Sequence, residues 1–360
     1  MKKTFLFLPL CFTALQLCFT AFQLAAATAE KPPVSLKTCL SAPLITPADS
    51  SLLRNKIICV DPGHGGTAAT DHYRQGLNGE REEWINLRVA ILLKKKLEAE
   101  GAKVILTRDT DVFVKLEDRA AMAVQQKADL LISIHHNATA DTAVNFPIIY
   151  FHGAVSENLA GVAFGKALAA AFEKYFYRRN IPKSLLSDYV IFPSRGSSVL
   201  RNSYGIPGVL AEASFFTNPS EEQRLKQPAY NEAEAQAYLT GIQAFFTQKT
   251  REIKPEKISL QIPSFPVLEE AQRTNSVARN WFADYQEGLS LGKKNDTTAY
   301  RAAFELLKRS ATSFPDSYVS AQCHQQMALL LKKMKQDDEA KTEELRTQEF
   351  FIPLSKQTKK

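Results

Sequence analysis

From Ile57 onward, short apolar runs alternate with longer stretches at helical spacing, and this alternation limits the chain to few architectures. Ile57-Ile58-Cys59-Val60 is apolar throughout and stops at Asp61-Pro62-Gly63. Residues 82–100 then place Ile85, Val89, Leu92, Leu93 and Leu97 on one stripe, closed by Gly101. Further strands are expected at 103–107, 129–135, 146–151 and 208–212, and helices at 115–127, 156–177 and 230–248. Strands without polar alternation are buried on both faces, as parallel strands between helical layers are. The fold class is therefore α/β, a mostly parallel sheet with helices on both faces, followed by a small all-α C-terminal domain.

Prolines mark the boundaries. Pro32, Pro33, Pro43 and Pro47 make 30–56 a linker, and Pro255, Pro263 and Pro266 make 250–268 a second one. Between them lies the α/β domain, 57–249. The helical remainder, 269–360, contains two similar stretches, from Ala302 to Asp316 and from Ala321 to Ala340. They resemble the tetratricopeptide helix pair, with ordinary helix packing as the equal alternative.

The first 29 residues read as an export signal: Lys2 and Lys3, an apolar stretch over 5–24, then Ala27-Thr28-Ala29. The expected location is the periplasm or cell envelope, with a retained membrane anchor as the alternative. Removing the signal takes away Lys2 and Lys3 and leaves 43 Lys and Arg against 38 Asp and Glu. That mild, scattered excess does not indicate a nucleic-acid partner; it suits an anionic polymer such as a cell wall, or, the preferred reading, ordinary solubility. Three cysteines remain, Cys39, Cys59 and Cys323, with no Cys-x-x-Cys pair, so a disulfide framework is not expected.

Two of the six histidines close strands: His64 follows the first, and His135 ends the third. Ligands of open α/β sheets sit beyond the carboxyl ends of the strands, so these rings can meet there. Glu82 opens the first helix and Glu212 closes the late strand. Each alone has a plain structural reading, since an acid at a helix start is stabilised by the helix dipole. All four at one end of a sheet point instead to a catalytic zinc shell of two His and one carboxylate with an open position. The residues alone support a zinc hydrolase and leave its substrate open.

Six ordered runs carry a specific resemblance. They are Ile58-Cys59-Val60-Asp61-Pro62-Gly63-His64-Gly65-Gly66, Glu82 to Leu87, Leu106 to Asp111, Ser133 to Ala138, Pro207 to Glu212 and Phe216-Thr217-Asn218-Pro219. Together they resemble the zinc-dependent N-acetylmuramoyl-L-alanine amidases of the cell wall, over roughly residues 55–248. The resemblance implies one Zn2+ per chain held by His64, Glu82 and His135, with Glu212 as the catalytic carboxylate. It implies peptidoglycan or its precursor as substrate, cut at the amide between muramic acid and L-alanine. Asn137, His136 and Arg201 are then expected to contact substrate. His136 departs from the family, which has a small residue there; it either lines the cleft or fills space. Glu83 replaces a basic neighbour, so Glu83 or Glu80 would be the substitute ligand if Glu82 is not one. The short span from His135 to Glu212 implies a site open without an activator. The C-terminal helices are expected to bind an envelope or division protein or to stabilise the catalytic domain. Rival readings are a non-catalytic peptidoglycan-binding protein and an added serine-based penicillin-binding activity. The latter rests on Ser290-Leu291-Gly292-Lys293 and Ser156-Glu157-Asn158, in reversed order.

Overall fold

Strand β1, Ile57–Pro62, lies against β2, Lys103–Leu106, on one side and β3, Leu130–Asn137, on the other. A computed structural model of the chain describes residues 51–66, 74–193, 195–249, 252–268, 272–273 and 276–354. The expected signal, Cys39, His72 and most of 30–56 fall outside the described residues.

The sheet is completed by β4, Ile148–Phe151, β5, Ser184–Ser187, and β6, Gly208–Phe215, in the order β2-β1-β3-β6-β4-β5. All neighbours run parallel except β4 and β6, which are antiparallel. The sheet is therefore mostly parallel, as the apolar runs imply. β5 escaped the sequence reading because Ser184-Leu185-Leu186-Ser187 is too short to show a pattern.

Side-chain alternation divides the sheet into two faces. Ile58, Val60, Ile132, Ile134, Ile149, Val209 and Ala211 share a core with three helices. These are α1, Glu82–Ala99, α3, Leu159–Ala171, and, after α4, Ser198–Asn202, and α5, Pro219–Leu225, the long α6, Pro228–Phe246. In α1 the residues Ile85, Val89, Leu93 and Leu97 are wholly buried, four apart on one stripe. Gly101, at φ 83°, lets the chain leave the helix toward β2.

The opposite face carries Cys59, Leu131, Ile148, Tyr150 and Leu210. It is covered by α2, Leu116–Gln125, by α4 and by the C-terminal helices. Those are α7, Trp281–Leu291, α8, Thr297–Ser313, α9, Ser320–Lys333, and α10, Asp337–Phe350. Phe146 and Phe215 of the sheet half meet Phe314 at 5.9 and 6.1 Å between ring centroids, and Trp281 lies 5.0 Å from Phe314. The helices thus share one aromatic core with the sheet.

Both segments read as linkers are tied down where they are described. Leu53 is fully buried, and the Asn55 amide donates to the Gly101 carbonyl. Within 252–268, the Lys257 and Ile258 amides donate to Glu157, Ile262 is buried, and the Pro263 carbonyl accepts from Arg346 Nη2 at 2.8 Å. No described helix is long and apolar enough to cross a membrane.

Candidate metal centre

Strand ends deliver the site. β1 stops at Pro62, and the next residues turn into the crevice with His64 at φ 60°. A non-glycine residue in that left-handed region is held by its surroundings. Arg119 Nη2 donates to the His64 carbonyl at 2.6 Å, and its Nη1 reaches the Pro62 carbonyl at 2.8 Å. Arg108 donates to the Pro62 and Gly63 carbonyls at 2.8 and 2.9 Å. Gly63 cannot be anything larger, since a Cβ there would stand 2.1 Å from His135 Nε2.

His135 lies two residues before the end of β3, and Glu82 opens α1. His64 Nε2 lies 3.1 Å from Glu82 Oε2, and His135 Nδ1 lies 3.0 Å from Glu82 Oε1. The rings meet edge to face at 4.8 Å. One ligand atom from each residue lies within 4.8 Å of the others. A tetrahedral shell with bonds of about 2.0–2.1 Å sets neighbouring ligand atoms roughly 3.3 Å apart, so the three groups fit a divalent cation. Burial alone would raise the Glu82 carboxyl, but the imidazoles, His64 first, hold it well below the usual carboxylate range. Burial lowers His135, which favours the neutral ring that a metal takes.

Glu212 pairs in register with His135 across the β3–β6 ladder. A cavity of about 1290 Å³ opens above these groups, and its lining includes His64, His135, Glu212, Asn137 and Arg201. Arg201 Nη1 donates to the Arg195 and Gly196 carbonyls, so it braces the 195–196 loop at the cleft edge. His136 is not brought into the cleft, because the strand turns it to the other face. There it is fully buried, with Nδ1 2.8 Å from Asn86 Oδ1 and Nε2 3.2 Å from Glu234. Asn86 also donates to Glu82 Oε1 at 3.2 Å, so His136 and Glu234 lock the residue that orients Glu82. Glu80 and Glu83 turn away from the imidazoles toward Arg88 and Arg81. Ser290 and Lys293 are exposed near the end of α7, and the Ser156 hydroxyl donates to Glu349 at 2.8 Å. None of these lines the cleft.

Several supporting residues were missed from the sequence. Asp61 is wholly buried and accepts from Thr107, from Ser133 Oγ at 2.7 Å and from Arg119 Nη1 at 2.8 Å. Asp61 and Arg108 stand inside the quoted runs, where their neighbours drew the attention; Arg119 and Glu234 carried no local signal at all.

The cleft edge at 188–197 hangs on His152. Its Nδ1 lies 2.8 Å from Asp188 Oδ2, its Nε2 lies 3.3 Å from Glu256, and Asp188 accepts the Ser197 amide at 2.7 Å. Burial opposes the imidazolium, but Asp188 and then Glu256 outweigh it and raise the ring to about 9. A folded pKa above the unfolded one of about 6.5 stabilises the protein below pH 6.5, and that contribution is lost as pH rises through 9. The stability difference between wild type and His152→Gln should therefore shrink by about 3 kcal/mol between pH 6.5 and 9.5. Urea unfolding at both pH values checks this; a constant difference refutes it.

Residues 58–244 match the family described as N-acetylmuramoyl-L-alanine amidase. The chain belongs to that family. It is 33% identical over 213 residues to a probable cell wall amidase LytH of Staphylococcus epidermidis, covering 56% of this chain and 63% of that one. It is 33% identical over 213 residues to the amidase LytC of Bacillus subtilis, covering 56% of this chain and 39% of that one. This chain thus spans less than two thirds of the length of these curated relatives. Among solved structures, the amidase AmiC2 of Nostoc punctiforme aligns with a TM-score of 0.46 at 26% identity, over 54% of this chain and 98% of that one.

Proposed function

We propose that the chain hydrolyses the amide between N-acetylmuramic acid and L-alanine in peptidoglycan, with one zinc ion per chain held by His64, Glu82 and His135. The observation that carries this reading is the convergence of those three side chains at the floor of a cleft that Glu212 also lines, in a chain of this family.

When bound, zinc supplies Lewis acidity for the scissile carbonyl and the attacking water. Glu212 takes the proton of that water and passes it to the leaving amine. Asn86 and the His136–Glu234 pair behind it hold Glu82 in place. Asn137 and the loop braced by Arg201 border the substrate. The proposed catalytic residues all lie within 57–249, and the helical region 269–360 covers one face of that sheet and also offers a surface to an envelope or division protein. Export through residues 1–29 places the activity in the cell envelope, where it serves wall remodelling or daughter-cell separation.

Mass spectrometry of peptidoglycan fragments incubated with residues 30–360 tests this. Free stem peptide and peptide-less glycan are expected without any activating partner. Chelator should stop their release and added zinc restore it. Release that continues at full rate in chelator sinks the proposal.

A further inference from the structure

We propose that His136 and Glu234 are positioning residues that raise the affinity of the site for its metal ion, acting through Asn86 on the Glu82 carboxylate. The inference rests on the metal reading above. It concerns two side chains that do not line the cleft at all.

A chain of hydrogen bonds runs from α6 through β3 to α1. Glu234 Oε2 on α6 lies 3.2 Å from His136 Nε2. His136 Nδ1 lies 2.8 Å from Asn86 Oδ1. Asn86 Nδ2 donates to Glu82 Oε1 at 3.2 Å and to the Gly63 carbonyl at 3.3 Å. That amide has one orientation open to it. A carboxylate and a carbonyl only accept, so Nδ2 faces them and Oδ1 faces the imidazole. Nδ1 of His136 therefore carries a proton. A second proton, between Nε2 and Glu234, bonds that pair whichever partner holds it. The main-chain amide of His136 donates to Glu82 Oε1 as well, at 3.2 Å. Two bonds from outside the proposed ligand set thus hold one oxygen of Glu82, while Oε2 faces His64 at 3.1 Å.

Every link lies out of water. Glu82 is 2% exposed and His136 1%, and Asn86 and Glu234 are not exposed at all. Glu234 makes its bond to His136, and its Oε1 has no hydrogen-bond partner among the described residues. An acid buried on such terms adds no stability over an apolar side chain of its size, so packing does not account for it. What it does is fix the imidazole, and through the imidazole the Asn86 amide. That one amide grips both Glu82 and the residue before His64, so two of the three metal-binding groups are held by it. Partners behind a metal ligand keep it in the binding orientation, and losing them typically costs about 10–100-fold in metal affinity.

The test is competitive titration of the metal-stripped full chain with Zn2+ against a chelating dye of known affinity. The key variant is the double change His136→Leu with Glu234→Met, which removes both partners and strands no buried charge. Its metal-free melting temperature is expected close to that of wild type, and its zinc affinity about 10–100-fold lower. Glu234→Gln, whose amide still bonds Nε2, should bind zinc within about threefold of wild type. Glu234→Met alone should bind about tenfold more weakly, and carries the comparison if the double variant does not fold. A role in packing alone would move the melting temperature and leave zinc affinity unchanged. A folded double variant, or a folded Glu234→Met, that binds zinc as tightly as wild type overturns the proposal. So does a Glu234→Gln protein as weak as the double variant. A wild type that binds no zinc sinks this inference and the metal reading together, whereas unchanged affinity in the variants sinks this inference alone.

Discussion

Glu212→Gln is expected to keep zinc at one ion per chain and to lower turnover by roughly 10²–10⁴-fold, the usual contribution of a positioned general base. The carboxamide fills the same space within β6, in register with His135, but cannot accept a proton. The three proposed ligands lie on other elements, so the substitution leaves them in place. His64→Ala gives the contrasting result. It removes one of three ligand groups, so both metal and turnover are expected to be lost. Metal analysis and kcat measured on the same preparations separate the two roles. A Glu212→Gln protein with wild-type kcat refutes the assignment, and one that loses its metal moves Glu212 into the ligand shell.

The second large effect concerns stability. Arg119→Met should destabilise the fold by about 3–5 kcal/mol at neutral pH, because it strands the Asp61 carboxylate in the interior. Burial alone would raise Asp61; Arg119, with help from Thr107 and Ser133, brings it below the usual carboxylate range. Without the cation, burial wins and the folded pKa moves above that of the unfolded chain. The cost is then greatest at neutral pH and shrinks as pH falls through the raised value, since protonated Asp61 no longer needs a partner. Denaturant unfolding at pH 7 and pH 4.5 checks both magnitude and sign. A penalty under about 1 kcal/mol at pH 7, or one that grows toward pH 4.5, contradicts the argument. The same variant should loosen the backbone at His64, whose carbonyl Arg119 holds.

Five of the six strands were legible because they centre on apolar runs, and α1 because its buried stripe repeats at helical spacing. β4 was visible as a strand, but nothing local to Ile148–Phe151 encodes that it runs antiparallel to β6. The convergence of His64, Glu82 and His135 could be inferred because His64 follows the first strand, His135 lies near the C-terminal end of the third and Glu82 opens a helix, where topology rather than side-chain detail fixes position. Substrate contacts were harder to read. His136 sits one residue from a cleft residue and points the opposite way, while Ser264 and Pro266 line the cleft from a segment that reads as a proline-rich boundary. Such contacts are made by tertiary packing, which leaves no periodic trace.

Phe146, Phe215, Phe314 and Trp281 carry one more consequence. Because these rings interleave across the end of the family match, the polypeptide has no clean seam at which to cut. An engineer who cut at residue 244, where the family match ends, would strip the helical roof from this face of the sheet and bare greasy rings to water. Any transplant of the sheet half into another chain would have to carry the tail along.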